Sequence, residues 1–218
     1  MHTMTTPSAH LSNVDAADLG VDALAATGLP DAVLGFCAVH LGLRSETARI
    51  TEYVDAGRHD DARRRSHLLA KVLAEHHRAE DELLWPALVR RQPGIVAVTD
   101  TLEAEHELLD EELVALADDP TRIERVAGLI DRHLRAEEEH VLPIWLASFD
   151  HAEHERFGRQ LRRSTPAGSV GLMVSWLLDV TPESLRPFAI GRLPRAFRMA
   201  HQMCWRPSFD RRYGGSPH

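Results

Sequence analysis

The chain has 218 residues, 44% hydrophobic and 6% aromatic, with a formal net charge of -8. It is long enough to bury one sizeable core, and its acidic balance, with no long basic run before the C-terminal stretch, argues against nucleic-acid binding as its main task. Cys37 and Cys204 cannot build a disulfide framework, no signal peptide is evident, and the late apolar run Val170 to Leu178 is too short to span a bilayer, so a cytoplasmic protein without a membrane partner is expected.

Residues 1–30 mix Thr, Ser, Ala and Asp without a sustained period and read as a flexible tail. Asp31 can cap a first helix whose inward stripe is Val33, Phe36, His40, Leu43, Thr47, Ile50 and Val54, with Gly57 as its end. A second helix from about Asp60 to Arg90 turns Leu69, Val72, Leu73, His76, Glu80, Leu83 and Ala87 inward and stops at Gln92-Pro93-Gly94. A third, from about Ile95 to Ala117, presents Leu102, His106, Leu109, Leu113 and Leu116. Asp119 as N-cap and Pro120 at the first position open a fourth, with Val126, Leu129, Ile130, His133, Glu137, His140, Val141 and Ile144 inward. Four long helices with short connections predict an all-α protein, an antiparallel up-down four-helix bundle over residues 31–163. Residues 164–218 form a Pro-punctuated C-terminal extension of short helices, in which Arg186, Arg192, Arg195 and Arg198 read as a solvated face.

The second and fourth helices carry near copies of one segment. His76-His77-Arg78-Ala79-Glu80-Asp81-Glu82-Leu83-Leu84-Trp85-Pro86 returns as His133-Leu134-Arg135-Ala136-Glu137-Glu138-Glu139-His140-Val141-Leu142-Pro143. In each, a His precedes a Glu by four positions, so imidazole and carboxylate share a helix face one turn apart and can meet one ion. Pro86 and Pro143 should kink or end their helices at matching heights, since neither donates the helical hydrogen bond.

A lone His on an apolar face is ordinarily a hydrogen-bonded core residue, and His40 or His106 alone would carry little weight. Together, however, each of the four helices supplies a central His and two add a Glu. Burying those carboxylates without cations costs several kcal/mol per ion, and a pair of iron ions removes that cost. His151 and Glu155 repeat the spacing without a buried stripe and belong to the surface. His77 reads first as a partly exposed neighbour of His76; a slight rotation of the helix would point it inward, with Asp81 as a second His–carboxylate pair. His140, one turn past Glu137, is a candidate hydrogen-bonding neighbour of the ligands, and Tyr53 a further candidate ligand or redox neighbour.

The order His, His-x-x-x-Glu, His, His-x-x-x-Glu, filled by His40, His76/Glu80, His106 and His133/Glu137, resembles the hemerythrin-like (HHE cation-binding) proteins over about residues 31 to 160. The resemblance implies a four-helix bundle with a non-haem di-iron centre, oxo or hydroxo bridged and spanned by the two Glu carboxylates. It implies roles in binding dioxygen, reacting with peroxide or nitric oxide, sensing iron or repairing iron-sulfur clusters. Oxygen-carrying hemerythrins hold a second His one turn before the third-helix His, where this chain has Leu102. Two octahedral irons have about twelve positions, and two bridging carboxylates, four imidazoles and an oxo or hydroxo bridge fill about ten. A more open pair suits reaction with peroxide or nitric oxide better than reversible dioxygen carriage.

Two rivals stand beside that reading. Glu103-x-x-His106 and Glu137-x-x-His140 are the Glu-x-x-His pairs of ferritin-like di-iron carboxylate bundles, though here on consecutive helices. A metal-free helical interaction module would use its His residues only to fill the core. The favoured expectation is a metal site of His40, His76, Glu80, His106, His133 and Glu137 holding two iron ions, with a small diatomic gas or peroxide as partner. A redox partner and a homodimer are further expectations.

Overall fold

The structure, a computed structural model, describes residues 28–214. The expected N-terminal tail falls mostly on residues 1–27 and so lies outside the described residues. Among those described there is no strand. Four long helices follow in order: α1 (Asp31–Asp55), α2 (His59–Ala79), α4 (Val96–Asp118) and α5 (Ile123–His140), with the short α3 (Trp85–Arg91) continuing the line of α2. Helix α1 packs against α2 and α5, and α4 packs against the same two, which closes a ring of four. No helix among the described residues is long and apolar enough to cross a membrane.

The apolar stripes expected for the first and third helices are buried as read, Val54 alone being half-buried. Termini depart more. Asp31 does not cap α1; Pro30 holds that place, with no side-chain cap. Asp119 does cap, but over a 3-10 turn, Pro120–Arg122, before α5 begins, its carboxylate accepting from the Thr121 N–H at 3.1 Å. Gly57, at φ +71°, ends α1 in the left-handed region that glycine enters without penalty.

The prolines act at corresponding points. Between α2 and α3 the chain makes a π-turn, Glu80–Leu84, in which the Trp85 N–H donates to the Glu80 carbonyl. Pro86, one residue on, has no N–H with which to restore the four-residue ladder. The extra residue advances the buried face, so Leu84 and Leu88 are buried where Leu83 was expected, and Leu83 is half-buried. In the second copy α5 stops at His140, and a new helix, α6 (Leu142–Ser148), restarts with Pro143 in its first turn.

Two apolar cores result, with the polar cluster between them. One gathers Leu43, Leu69, Leu73, Leu109, Ile130 and Leu134; the other gathers Phe36, Leu84, Leu102, Val141 and Trp145. Between the two cores each long helix carries a His, α2 reaching the second core through its continuation in Leu84 and α3.

The remaining helices, α7 (His151–Ser164), α8 (Ala167–Val180), α9 (Arg186–Arg192), α10 (Arg195–Ala200) and α11 (Arg206–Tyr213), lie against this assembly. Asp150 opens α7 with a full capping box to Glu153. Helix α8, which carries the apolar run Val170 to Leu178, docks on α1 so closely that a Cβ at Gly42 would come within 2.7 Å of the Trp176 ring. Below that contact Arg65 makes a two-pronged pair with buried Glu46 and donates to Asp179 at 2.9 Å, while the Trp176 indole N–H donates to Glu46 at 3.2 Å. Arg186 departs from the expected solvated face: it is half-buried and its Nε donates to the Leu178 carbonyl at 3.0 Å, satisfying the end of α8.

Candidate metal centre

The four helices bring His40, His76, His77, Glu80, His106, His133 and Glu137 together at the junction of the two cores, all buried. Two groups form. The ligating atoms of His40, His76, Glu80 and Glu137 lie within 4.8 Å of one another, as do those of His77, His106 and His133.

The carboxylates stand across the gap between the groups. Glu80 turns Oε1 toward His76 Nε2 (3.4 Å) and Oε2 toward His106 Nε2 (3.7 Å). Glu137 turns Oε2 toward His40 Nε2 (3.3 Å) and Oε1 toward His133 Nε2 (3.2 Å). Glu137 also lies 4.0 Å from His76 and 3.9 Å from His106, so it is the more central of the two, a difference invisible in two near-identical motif copies.

Carboxylates outside the cluster hold several rings in place. His40 Nδ1 lies 2.9 Å from Glu138, His106 Nδ1 2.9 Å from Asp81, and His133 Nδ1 2.8 Å from Glu105. An Nδ1–H donated outward fixes the tautomer that leaves the Nε2 lone pair facing inward, as in carboxylate–histidine–metal arrangements. Arg44 in turn donates to Glu138 and to Asp131. The sequence reading missed Glu105 and Glu138 and gave Asp81 to His77. The signal was adjacency, for each carboxylate is the immediate chain neighbour of a motif residue.

Among the described residues nothing else satisfies the inward atoms. Nε2 of His40, His76, His106 and His133, both ring nitrogens of His77, and all four oxygens of Glu80 and Glu137 are buried without a hydrogen-bond partner. Unpaired buried polar atoms are rare and unfavourable, at about 1 to 3 kcal/mol each. A set of inward lone pairs with two carboxylates among them is matched by cations, and the donor set of imidazoles and carboxylates fits them.

The electrostatics of the bare cluster agree. Burial, and then the neighbouring Glu137 charge, push the Glu80 carboxyl well above the usual range. Burial also presses on Glu137, but His106, His133 and His40 overcome it and hold that carboxyl well below the usual range. Burial and the surrounding imidazoles bring His76 down to about 3 and His77 lower still, which keeps both neutral. His106 is desolvated too, yet Asp81 and Glu137 raise it to about 9.

Four expectations change. His77 is not a partly exposed bystander: it is 3% exposed and its ring stacks on His106 with centroids 3.8 Å apart. Its nearest carboxylate is Asp110, at 3.7 Å, not Asp81. Two histidines in succession both reach inward because the cluster wraps more than one face of α2. The Leu102 position therefore does not reduce the set to four imidazoles; five converge, and Leu102 packs in the apolar core beside them. His140 is exposed and does not neighbour the cluster, α5 having ended there. Tyr53 belongs to the other core, thirteen residues along α1 from His40 and so about 20 Å distant. Glu103, needed by the ferritin-like rival, is exposed like His140. His151 and Glu155 face solvent as read, at 84% and 57% exposure.

Glu105→Ala removes the outward partner of His133 without touching the cluster. It is expected to weaken metal binding by about 10- to 100-fold, the usual effect of removing such a partner, with little loss of fold because Glu105 is on the rim. Competition against a chelator of known affinity measures this, and an unchanged affinity would show that Glu105 does not orient the ring.

Residues 37–145 match the family model described as Hemerythrin HHE cation binding domain. No curated protein and no solved structure matches the chain.

Proposed function

The chain belongs to the hemerythrin HHE cation-binding domain family, and on that premise we propose that the cluster holds two iron ions bridged by Glu80 and Glu137. The protein then acts as a non-haem di-iron protein that binds or reacts with dioxygen, hydrogen peroxide or nitric oxide in oxidative or nitrosative stress. One observation carries this reading: each carboxylate directs one oxygen to each imidazole group. A single ion would leave one group's nitrogens unmatched.

His40 and His76 would hold one ion, His77, His106 and His133 the other, and Glu80 and Glu137 would serve both. Bound iron supplies redox chemistry and room for a small ligand. The protein's part is to orient the ligands through Glu138, Asp81 and Glu105. With five imidazoles and two carboxylates, the cluster would supply most of the coordination positions of two such ions. A donor set this full would favour binding a small molecule over turnover that needs two adjacent open sites. The unpartnered buried atoms weigh against a metal-free interaction module, and the exposure of Glu103 and His140 weighs against the ferritin-like arrangement.

The test is the electronic absorption spectrum of iron-loaded protein before and after peroxide, and of the reduced protein before and after nitric oxide. Ferric charge-transfer bands in the oxidised protein, and a new spectrum with at least one of the two molecules, are expected. A spectrum indifferent to both would remove the small-oxidant reading.

A further inference from the structure

A cavity of about 730 Å³ opens beside the cluster and is bounded mostly by parts of the chain outside the matched family region. Helices α7 and α8 supply Phe157, Leu161, Met173, Val174 and Leu177, and α1 supplies Phe36 and Val39. His76 and Glu80 form part of the same wall. A cavity this large and this apolar is of the size that takes an organic ligand, and a diatomic gas needs nothing like it.

The charges at the rim are unequal in their commitments. Asp31 is paired with Arg192, Glu155 with Arg159 at 3.5 Å, and Glu75 with Arg78 at 3.1 Å. Arg162, exposed at the rim, has no carboxylate partner among the described residues. Its guanidinium leans back along α7: Nη1 lies 3.5 Å from where a Cβ on Gly158 would be, and Gly158 itself lines the cavity. The missing side chain leaves room there. One turn earlier on the same face, buried His154 also lines the cavity, and its Nδ1 has no hydrogen-bond partner among the described residues.

We propose that this cavity binds an apolar monocarboxylate of the fatty-acid class, its carboxylate on Arg162 over Gly158 and its apolar body against Phe36, Val174 and Leu177, reaching the wall formed by His76 and Glu80. The single uncommitted guanidinium matches one carboxylate, for which its planar fork is suited. The walls match a hydrocarbon chain. The binding site stands on its own geometry; that the ligand would abut a metal centre rests on the function proposed above.

Calorimetric titration of the full chain with dodecanoate and, separately, with dodecanol tests this. Saturable one-to-one binding of dodecanoate is expected. Arg162→Ala should weaken dodecanoate about tenfold or more while leaving dodecanol within about twofold, since only the charged contact is lost. Gly158→Phe, which places a ring in the cavity between Arg162 and Ala32, should abolish binding of both, with the melting temperature measured alongside to show that the fold is kept. Absence of saturable dodecanoate binding to wild type would overturn the proposal, as would equal dodecanoate affinity in wild type and Arg162→Ala, a surface change that keeps the fold. Iron content measured on the same samples separates the two ideas. Full iron without dodecanoate binding overturns this one alone, and dodecanoate binding without iron overturns only the di-iron reading.

Discussion

Glu137→Gln is expected to empty both metal positions, lowering iron from about two per chain to well below one. The amide has the same shape but lacks the charge, and one of its two ends is an NH2 that cannot ligate. Glu137 lies within 4.0 Å of four imidazoles, His40, His76, His106 and His133, whereas Glu80 lies that close to only two, His76 and His106. Glu80→Gln should therefore leave more iron behind than Glu137→Gln, although the motif copies look equivalent. His151→Ala, at a ring 84% exposed, should leave the content unchanged. Elemental analysis of the three proteins decides the matter. Equal losses in all three would refute the assignment of the cluster.

Removing the metal should lower the melting temperature markedly at neutral pH. Ions present at a thousandfold excess over their dissociation constant contribute about 4 kcal/mol to the folded state, which for a chain of this size is about 10 °C. The difference should also depend on pH. In the metal-free cluster His106 is raised from 6.5 to about 9, so the stability it contributes is complete below about pH 6.5 and lost as pH rises through about 9. Glu80, raised by burial and by Glu137, acts in the same direction, because its neutral form is the one the bare core accepts. Bound metal would hold these groups deprotonated at their ligating atoms. The gap between loaded and metal-free melting temperatures should accordingly widen from pH 6.5 to 9, as thermal scans of the two forms across that range would record. A metal-free protein as stable as the loaded one at pH 9 would place the ions outside the core.

The helices were legible because their core faces follow an uninterrupted 3.6-residue period, as with Leu102, His106, Leu109, Leu113 and Leu116 on α4. The candidate ligands were legible for the same reason: a polar residue on such a face must be answered by something, and a repeated His-x-x-x-Glu says what. His77 was not legible, since periodicity assigns one of two adjacent residues to the core and the other to its flank. Only the three-dimensional arrangement, with α1 packed on one side of α2 and α4 on the other, turns both inward. The π-turn at Glu80–Leu84 was equally hidden, because Pro86 announces a break in hydrogen bonding but not whether the chain answers with a kink, a stop or an added residue. The same motif answers differently in its second copy, where α5 stops at His140. The carboxylates Glu105 and Glu138 lay in charged runs that read as solvated helix surface. Their function depends on which His ring stands opposite, a fact of packing and not of pattern. The cavity was beyond reach for a further reason: its walls join α1 and α2 to α7 and α8, segments far apart in sequence with no shared motif.

The central claim is that Glu80 and Glu137 bridge two ions across the two imidazole groups. Metal analysis of the wild-type chain, loaded with ferrous iron without oxygen, freed of excess by gel filtration and quantified against protein by amino-acid analysis, tests it most directly. The account predicts about two irons per chain, filled together with no stable one-iron species in between, since each carboxylate reaches full use only when both positions are occupied. A plateau at one iron, or none retained at all, would contradict it.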